Sequence, residues 1–453
     1  MIPLSGCVHG PEYRRAMRIS HLSAAIILAG TLVWFQPVSQ AVGKPGITPI
    51  ACPQQTWAPD DPAFEALSGA KAFFGSYAGG IYKIEIPDTW NGELVLVAHG
   101  FVTNGGAEGS RLRVNAPGIR EHLIQRGFAW AASSYRCNGY VPGIGLEDTM
   151  ALTDLFTRFN RGSAPRRAYL TGTSMGGHVT LLGMHEFPTA FAGGMAMCPA
   201  GPELFDYFTA IGAAAEAITG VTFRDPSKVG QDVSAMSELL GEPPNYTEKG
   251  RQLASVEVEL SGGPRPFAAQ GLRARFLQNI SGAALAGSQT PSNRAATNSA
   301  YRYRIDETLG LSSDKLNTMV RRKPADVSMR GGTGPYDELV PFDGRIERPV
   351  LTMHGTGDLF VPIHLEQVLR TAVNAANRDQ LLVQRVYRIA GHCGFSVPEQ
   401  SRAFDDLVHW VRDGVRPEGD TVFGDLRDAG RRFTDPLREG DPGGLSVGPS
   451  RLP

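Results

Sequence analysis

Two apolar rhythms alternate along the chain. Gly80-Ile81-Tyr82-Lys83-Ile84-Glu85-Ile86-Pro87 switches between apolar and polar side chains and stops at a proline, the period-two signature of a strand. Residues 93–98 (Glu-Leu-Val-Leu-Val-Ala) are almost continuously apolar, and 128–134, 167–171, 192–197, 348–355 and 381–389 also read as strands. Continuous runs fit parallel strands buried on both faces. Between them, 116–126, 146–159, 175–187, 363–376 and 399–411 repeat apolar residues at helical spacing. Strand and helix taking turns predicts an α/β fold with a doubly wound, mostly parallel sheet.

The rhythm breaks from 201 to 345. No buried strand is legible there, although 203–218 and 233–240 have helical spacing. The reading is a largely helical cap inserted after the sixth strand and lying over the sheet's active edge; a separate domain is the alternative. The core then comprises 42–200 and 346–415. Residues 42–75, rich in Pro and Gly, read as an irregular lead-in, and 416–453 as a poorly ordered tail.

The chemistry is concentrated where strand 167–171 meets the next helix, in Tyr169-Leu170-Thr171-Gly172-Thr173-Ser174-Met175-Gly176-Gly177-His178. A serine flanked at two positions on either side by glycine fits the nucleophile elbow. The turn is so sharp that side chains at Gly172 and Gly176 would collide, and Ser174 is lifted to the sheet's edge. A serine hydroxyl needs a base to take its proton. In this topology the order is nucleophile, acid, histidine. The first strand after the interruption runs into His354-Gly355-Thr356-Gly357-Asp358, and the last into Ala390-Gly391-His392-Cys393. Asp358 and His392 are therefore the expected acid and base. His354 and His178 are expected to be structural. The N–H of Met175, and that of Phe101 in the His99-Gly100-Phe101 loop, are the expected donors to a developing oxyanion. The bland alternative for each stretch is a glycine-rich turn or a capping aspartate without chemistry.

Together these four stretches resemble the α/β-hydrolase family over about 80–200 and 346–415, with the interruption where that family carries its cap. The resemblance implies that family's fold and covalent acyl-enzyme chemistry; serine at the nucleophile position argues against dehalogenation and epoxide opening. Cys393 directly after His392 is similar to feruloyl esterases and tannases, which join that cysteine to one preceding the nucleophile. Thr173 stands at that second position, so that pairing cannot form here, and Cys393 pairs elsewhere or stays free.

Composition refines the picture. A net charge of −1 argues against nucleic acid as a partner, which needs clustered Lys and Arg. Arg14, Arg15 and Arg18 precede a mostly apolar run from Leu22 to Phe35, and small residues follow up to Ala41. Residues 1–41 thus read as an export signal, with Met17 a candidate start and an uncleaved anchor the alternative. Four cysteines follow it: Cys52, Cys137, Cys198 and Cys393. In an exported chain they suggest one or two disulfides, with three full pairings open. No cofactor or metal is expected, and metal-type cysteine spacing is absent from the sequence.

The sequence thus predicts a secreted or periplasmic serine hydrolase acting on a small or polymeric carboxylic ester, without a stable membrane span once the signal is removed. The rivals are a peptidase or amidase on the same scaffold and an inactive binding protein. An aminopeptidase would need acidic groups in the insertion; Glu203, Asp206 and Glu216 are available. The insertion is expected to set specificity but not the core chemistry. Its aromatics Phe205, Tyr207, Phe208, Phe223, Phe267 and Phe276 either line a pocket or form its own core.

Overall fold

The computed structural model describes Cys52, Thr56, 64–103, Gly109, 111–223, 225–285, 291–330, Tyr336 and 338–434; the expected signal region and residues 435–453 lie outside the described residues. Strands β1 (Ala70–Tyr77) and β2 (Gly80–Pro87) form an antiparallel hairpin. Ala78 and Gly79 turn it with φ of 52° and 89°, which matches the twist of the flanking strands. β1 falls in the stretch expected to be irregular. It lies at the sheet edge with mostly half-buried side chains, so its sequence carries no clean alternation.

The chain continues through β3 (Glu93–Ala98), α1 (Arg120–Gln125), β4 (Ala129–Ser133), α2 (Pro142–Phe159), β5 (Arg167–Thr173), α3 (Met175–Glu186) and β6 (Gly193–Met197). After the insertion come β9 (Val350–Gly355), α10 (His364–Ala375), β10 (Leu382–Tyr387) and α11 (Val397–Asp413). The eight-stranded sheet runs β1-β2-β4-β3-β5-β6-β9-β10. Only the pairs made by β2 are antiparallel. Every residue of β4, β6, β9 and β10 is buried; β4 and β6 are almost wholly apolar, whereas β9 also buries Thr352 and His354 and β10 buries Gln384 and Arg385. Helices α2, α3 and α10 cover one face of the sheet and α1 and α11 the other. The chain proceeds from β3 to β4 on one side and places β5 on the other. A crevice opens at such a reversal of strand order, beyond the carboxyl ends of the strands.

The insertion leaves after β6 and returns at β9, its neighbour in the sheet. It holds α4 (Glu203–Thr219), α5 (Val229–Leu240), a two-residue hairpin of β7 (Gly241–Glu242) with β8 (Asn245–Tyr246), α6 (Glu248–Leu260), α7 (Ala268–Leu285), α8 (Pro291–Ala295) and α9 (Ser313–Met319). Tyr207, Phe208, Leu253, Val256, Leu272 and Phe276 build its apolar cluster. That cluster runs on into Leu359, Val361 and Leu365 of the core.

Residues 416–434 also depart from expectation. Gly414, at φ 73°, ends α11, and the following chain lies along β10. Asp420 N–H donates to the Gln384 carbonyl at 2.7 Å, and Val386 N–H to Asp420 Oδ2 at 2.8 Å. Val422 and Leu426 are buried against Ile363 and Val386. The polar residues that suggested disorder instead satisfy an edge strand's free backbone groups.

Disulfides join Cys52 to Cys137 and Cys198 to Cys393 across 85 and 195 residues of chain. Bridges closing such long loops typically contribute about 2–4 kcal/mol each. Alkylation followed by intact-mass measurement is expected to find all four of these thiols blocked before reduction and free after it. Free thiols in protein from an oxidising compartment would contradict the pairing.

The turn between β5 and α3 allows no side chains at its glycines. A Cβ on Gly172 would lie 2.2 Å from the Gly176 carbonyl oxygen, and one on Gly176 would lie 2.1 Å from the Ala98 carbonyl oxygen. Both obstacles are backbone. Gly176→Ala is expected to lower the thermal midpoint, costing about 1–3 kcal/mol as overpacking does. Gly230→Ala in α5 meets nothing within 4 Å, and a gain of about 0.4–1 kcal/mol is expected there. Equal midpoints for the two variants would refute this account of the turn.

Candidate active site

Ser174 sits between β5 and α3 at φ 60° and ψ −119°, a conformation few non-glycine residues adopt. Neighbouring backbone holds it there. Ser174 N–H donates to the Met197 carbonyl at 2.9 Å, while its own carbonyl accepts from Ala200 N–H and His178 N–H at 3.1 Å. The strain thus rests on hydrogen bonds to the end of β6 and the first turn of α3.

Asp358 follows β9 and is 1% exposed. Its Oδ1 accepts from Phe360 N–H at 3.1 Å and Val361 N–H at 3.0 Å. That leaves Oδ2 for the His392 ring, 2.5 Å from Nδ1. His392 Nε2 lies 2.9 Å from Ser174 Oγ. The fold brings three residues from distant sequence positions into one hydrogen-bonded chain. The Cys198–Cys393 bridge ties the histidine turn to the residue following β6. Both cysteines have left-handed backbone, φ 42° and 56°. Cys393 therefore finds its partner beside the elbow in space, one strand over from the position that sequence comparison considers.

Gly100 packs against Ser174, and a Cβ there would be 3.4 Å from Ser174 Cβ. Sequence reasoning overlooked His99. Its ring stacks on Tyr135 with centroids 3.8 Å apart, and its nitrogens lie 2.7 Å from the Gly100 carbonyl oxygen and 2.9 Å from that of Ser134. In a trans peptide the C=O and the following N–H point opposite ways. The Gly100 carbonyl, turned to His99, therefore leaves Phe101 N–H facing away from that ring. The Phe101 side chain is exposed. Met175 opens α3, where a backbone N–H has no partner within the helix. A polar ring directly after a buried strand was the available signal for His99.

Most of the other candidates have structural partners, while Glu203 keeps Oε1 buried without a hydrogen-bond partner among the described residues. His354 is buried, with Nε2 2.9 Å from the Val361 carbonyl and Nδ1 3.4 Å from Glu366 Oε1. His178 meets the Tyr140 hydroxyl at 2.8 Å, and burial pushes its ring down to about 4. Glu216 pairs with Arg321 at 3.0 Å, and Asp206 accepts from Thr297 N–H at 2.6 Å. Burial raises the Glu203 carboxyl to about 7. Tyr207, Phe208, Phe267 and Phe276 are buried, Phe205 packs edge-on to Tyr140, and Phe223 is partly buried on the insertion's cluster. Phe360 stands beside the site, its ring 5.4 Å from that of His392 and 5.7 Å from that of Phe208. Among the described residues, the one group spaced to hold a metal is Cys198, Asp358, His392 and Cys393. Its two sulfurs are joined to each other, and thiolates are the form that binds a metal. Also among the described residues, no helix is long and apolar enough to cross a membrane.

No family model matches the chain. Among curated proteins it is similar to an o-phthalyl amidase of Xanthobacter agilis, 22% identical over 415 residues, covering 75% of this chain and 86% of that protein. Among solved structures, feruloyl esterase B from Aspergillus oryzae is 16% identical with a TM-score of 0.42, over 77% of this chain and 81% of that one. A Pyrococcus furiosus esterase is 14% identical with a TM-score of 0.39, over 80% and 98%. By its strand order, with Ser174 in the turn at the end of β5, Asp358 after β9 and His392 after β10, the chain has the α/β-hydrolase fold.

Proposed function

We propose that the protein is an exported serine hydrolase that cleaves carboxylic esters through an acyl-enzyme. The observation that carries this reading is the contact chain Ser174 Oγ–His392 Nε2 at 2.9 Å and His392 Nδ1–Asp358 Oδ2 at 2.5 Å. Ser174 Oγ attacks the ester carbonyl as His392 Nε2 takes its proton. Asp358 keeps the ring oriented and stabilises the imidazolium. The N–H groups of Met175 and Phe101 receive the oxyanion, each such donor typically lowering the barrier by about 2.7–4 kcal/mol. The tetrahedral intermediate collapses as His392 returns the proton to the leaving alkoxide. Water, deprotonated by the same ring, then releases the acid and restores Ser174. No cofactor enters this scheme. The two disulfides support export, since such bridges persist in oxidising compartments.

Amide cleavage is the second reading, favoured by the similarity to an amidase along 86% of that protein's length. The steps are the same, except that His392 delivers its proton to an amine nitrogen. Comparing a nitrophenyl ester with a phthalyl amide on the purified protein separates the two. The inactive-binder alternative predicts no labelling by a fluorophosphonate.

Ser174→Ala is expected to lower kcat by roughly 10⁶-fold, the loss typical of removing such a serine, with the thermal midpoint unchanged. Turnover close to wild type would show that the nucleophile is misassigned. A specificity role for the insertion gives a separate expectation. Phe208 touches Phe360, which in turn touches His392. Phe208→Leu should change the ratio of kcat/KM between long-chain and acetyl esters by about 10- to 200-fold, the range for methylene-sized changes in a pocket. A constant ratio across acyl lengths would exclude this wall as a specificity element.

A further inference from the structure

We propose that the insertion positions the catalytic acid: Tyr207, Asn279 and Arg265 grip the two backbone carbonyls bracketing Asp358, and through them hold its carboxylate against His392. This rests on the reading of Asp358 as the acid of the triad, and it revises the expectation that the insertion serves specificity alone.

The grip comes from three parts of the insertion. The Tyr207 hydroxyl, on α4, donates to the Leu359 carbonyl at 3.1 Å. Asn279 Nδ2, on α7, donates to the same oxygen at 2.9 Å. Arg265 Nε, just before α7, donates to the Thr356 carbonyl at 2.7 Å. All three residues are at most 2% exposed. Helix α7 also meets the acid turn backbone to backbone, since a Cβ on Gly271 would lie 2.1 Å from the Gly357 carbonyl oxygen.

Each gripped carbonyl shares a peptide plane with an N–H that acts on the site. The Leu359 carbonyl and Phe360 N–H belong to one plane and point opposite ways. Phe360 N–H donates to Asp358 Oδ1 at 3.1 Å. Fixing the oxygen from the insertion's side therefore aims the donor that orients the carboxylate and frees Oδ2 for His392. The Thr356 carbonyl is likewise coplanar with Gly357 N–H, which donates to the Ile389 carbonyl at 2.8 Å, three residues before His392. One grip orients the acid, and the other sets its distance from the histidine turn.

The polar cluster behind the grip is an unusual thing to place inside an apolar cluster. Glu257 Oε1 accepts from Asn279 Nδ2 at 2.5 Å, and Arg265 Nη1 donates to Ser261 Oγ at 3.1 Å and the Gly263 carbonyl at 2.7 Å. Burial raises the Glu257 carboxyl to about 8 and lowers the Arg265 guanidinium to about 10. Packing alone would be served better by hydrocarbon, because burying such groups carries a desolvation cost. Aliphatic side chains cannot, however, hold a carbonyl in one orientation.

The test uses the full-length protein and a nitrophenyl acetate substrate, with Tyr207→Phe, Asn279→Ala and their double variant made in wild-type and Asp358→Asn backgrounds. Tyr207→Phe removes one oxygen and no packing volume, and near-ultraviolet circular dichroism checks its fold. Each single variant is expected to lower kcat about 3- to 10-fold, as the loss of one hydrogen bond implies, with KM within about two-fold of wild type. In the Asp358→Asn background the same changes should cost less than about two-fold, because the group they act through is gone. Unchanged kcat in Tyr207→Phe, or equal losses in both backgrounds, would overturn the proposal. Should Asp358→Asn itself retain wild-type kcat, the assignment of the acid fails, independently of anything the insertion does.

Discussion

The carboxylate of Asp358 divides its two oxygens. One is spent on backbone N–H groups of its own turn and the other on the His392 ring. A freely rotating carboxylate would exchange these roles, and the ring would lose its fixed partner. Most of the surrounding architecture limits that freedom. β9 delivers the turn, β10 delivers the histidine beside it, and the Cys198–Cys393 bridge ties the histidine turn to the end of β6. The elbow brings the serine from the other side, through a strained residue whose backbone is bonded into β6.

The core was legible in the sequence because parallel strands buried on both faces leave an unmistakable apolar run. β3 and β6 are such runs, and the turns that carry Ser174, Asp358 and His392 follow β5, β9 and β10. What was not legible lies where burial is partial or partners are distant. β1 pairs on one side only, so its side chains carry no consistent face. Residues 416–434 look like a solvated tail because their Asp, Arg and Gly serve an edge strand's backbone, a role that leaves no periodicity. Cys198 could not be matched to Cys393 by sequence, since the two meet only once β6 lies between β5 and β9. His99 stood in plain view beside Gly100, but its effect passes through a peptide plane, which residue types do not reveal.

The insertion divides in the same way. Two of its helices, α4 and α5, were recognisable by spacing, whereas α6 to α9 and its bearing on the Asp358 turn were not. Tyr207 reads as an ordinary helix residue, and Asn279 lies in a stretch without a legible element, until Leu359 is seen to accept from both. Tyr207 was grouped among aromatics that either line a pocket or fill a core, and its ring does pack in the core. Its hydroxyl does something further, which a count of aromatic residues cannot register.

The adjacency of β6 and β9 bears on how such a chain can diversify. The insertion leaves the carboxyl end of β6 and returns to the amino end of the adjacent parallel strand β9, so the sheet pins its ends about 10 Å apart along the strands whatever its length. Loop-closure entropy grows only logarithmically, so doubling an insertion of this kind costs about 0.6 kcal/mol. Helices can therefore be added or exchanged above the sheet with little penalty to the sheet beneath. The Thr356 and Leu359 carbonyls set the boundary of that freedom, because a replacement segment must return donors to both. Length and outer contour are open to variation, while a patch a few ångströms wide on the inner surface is not.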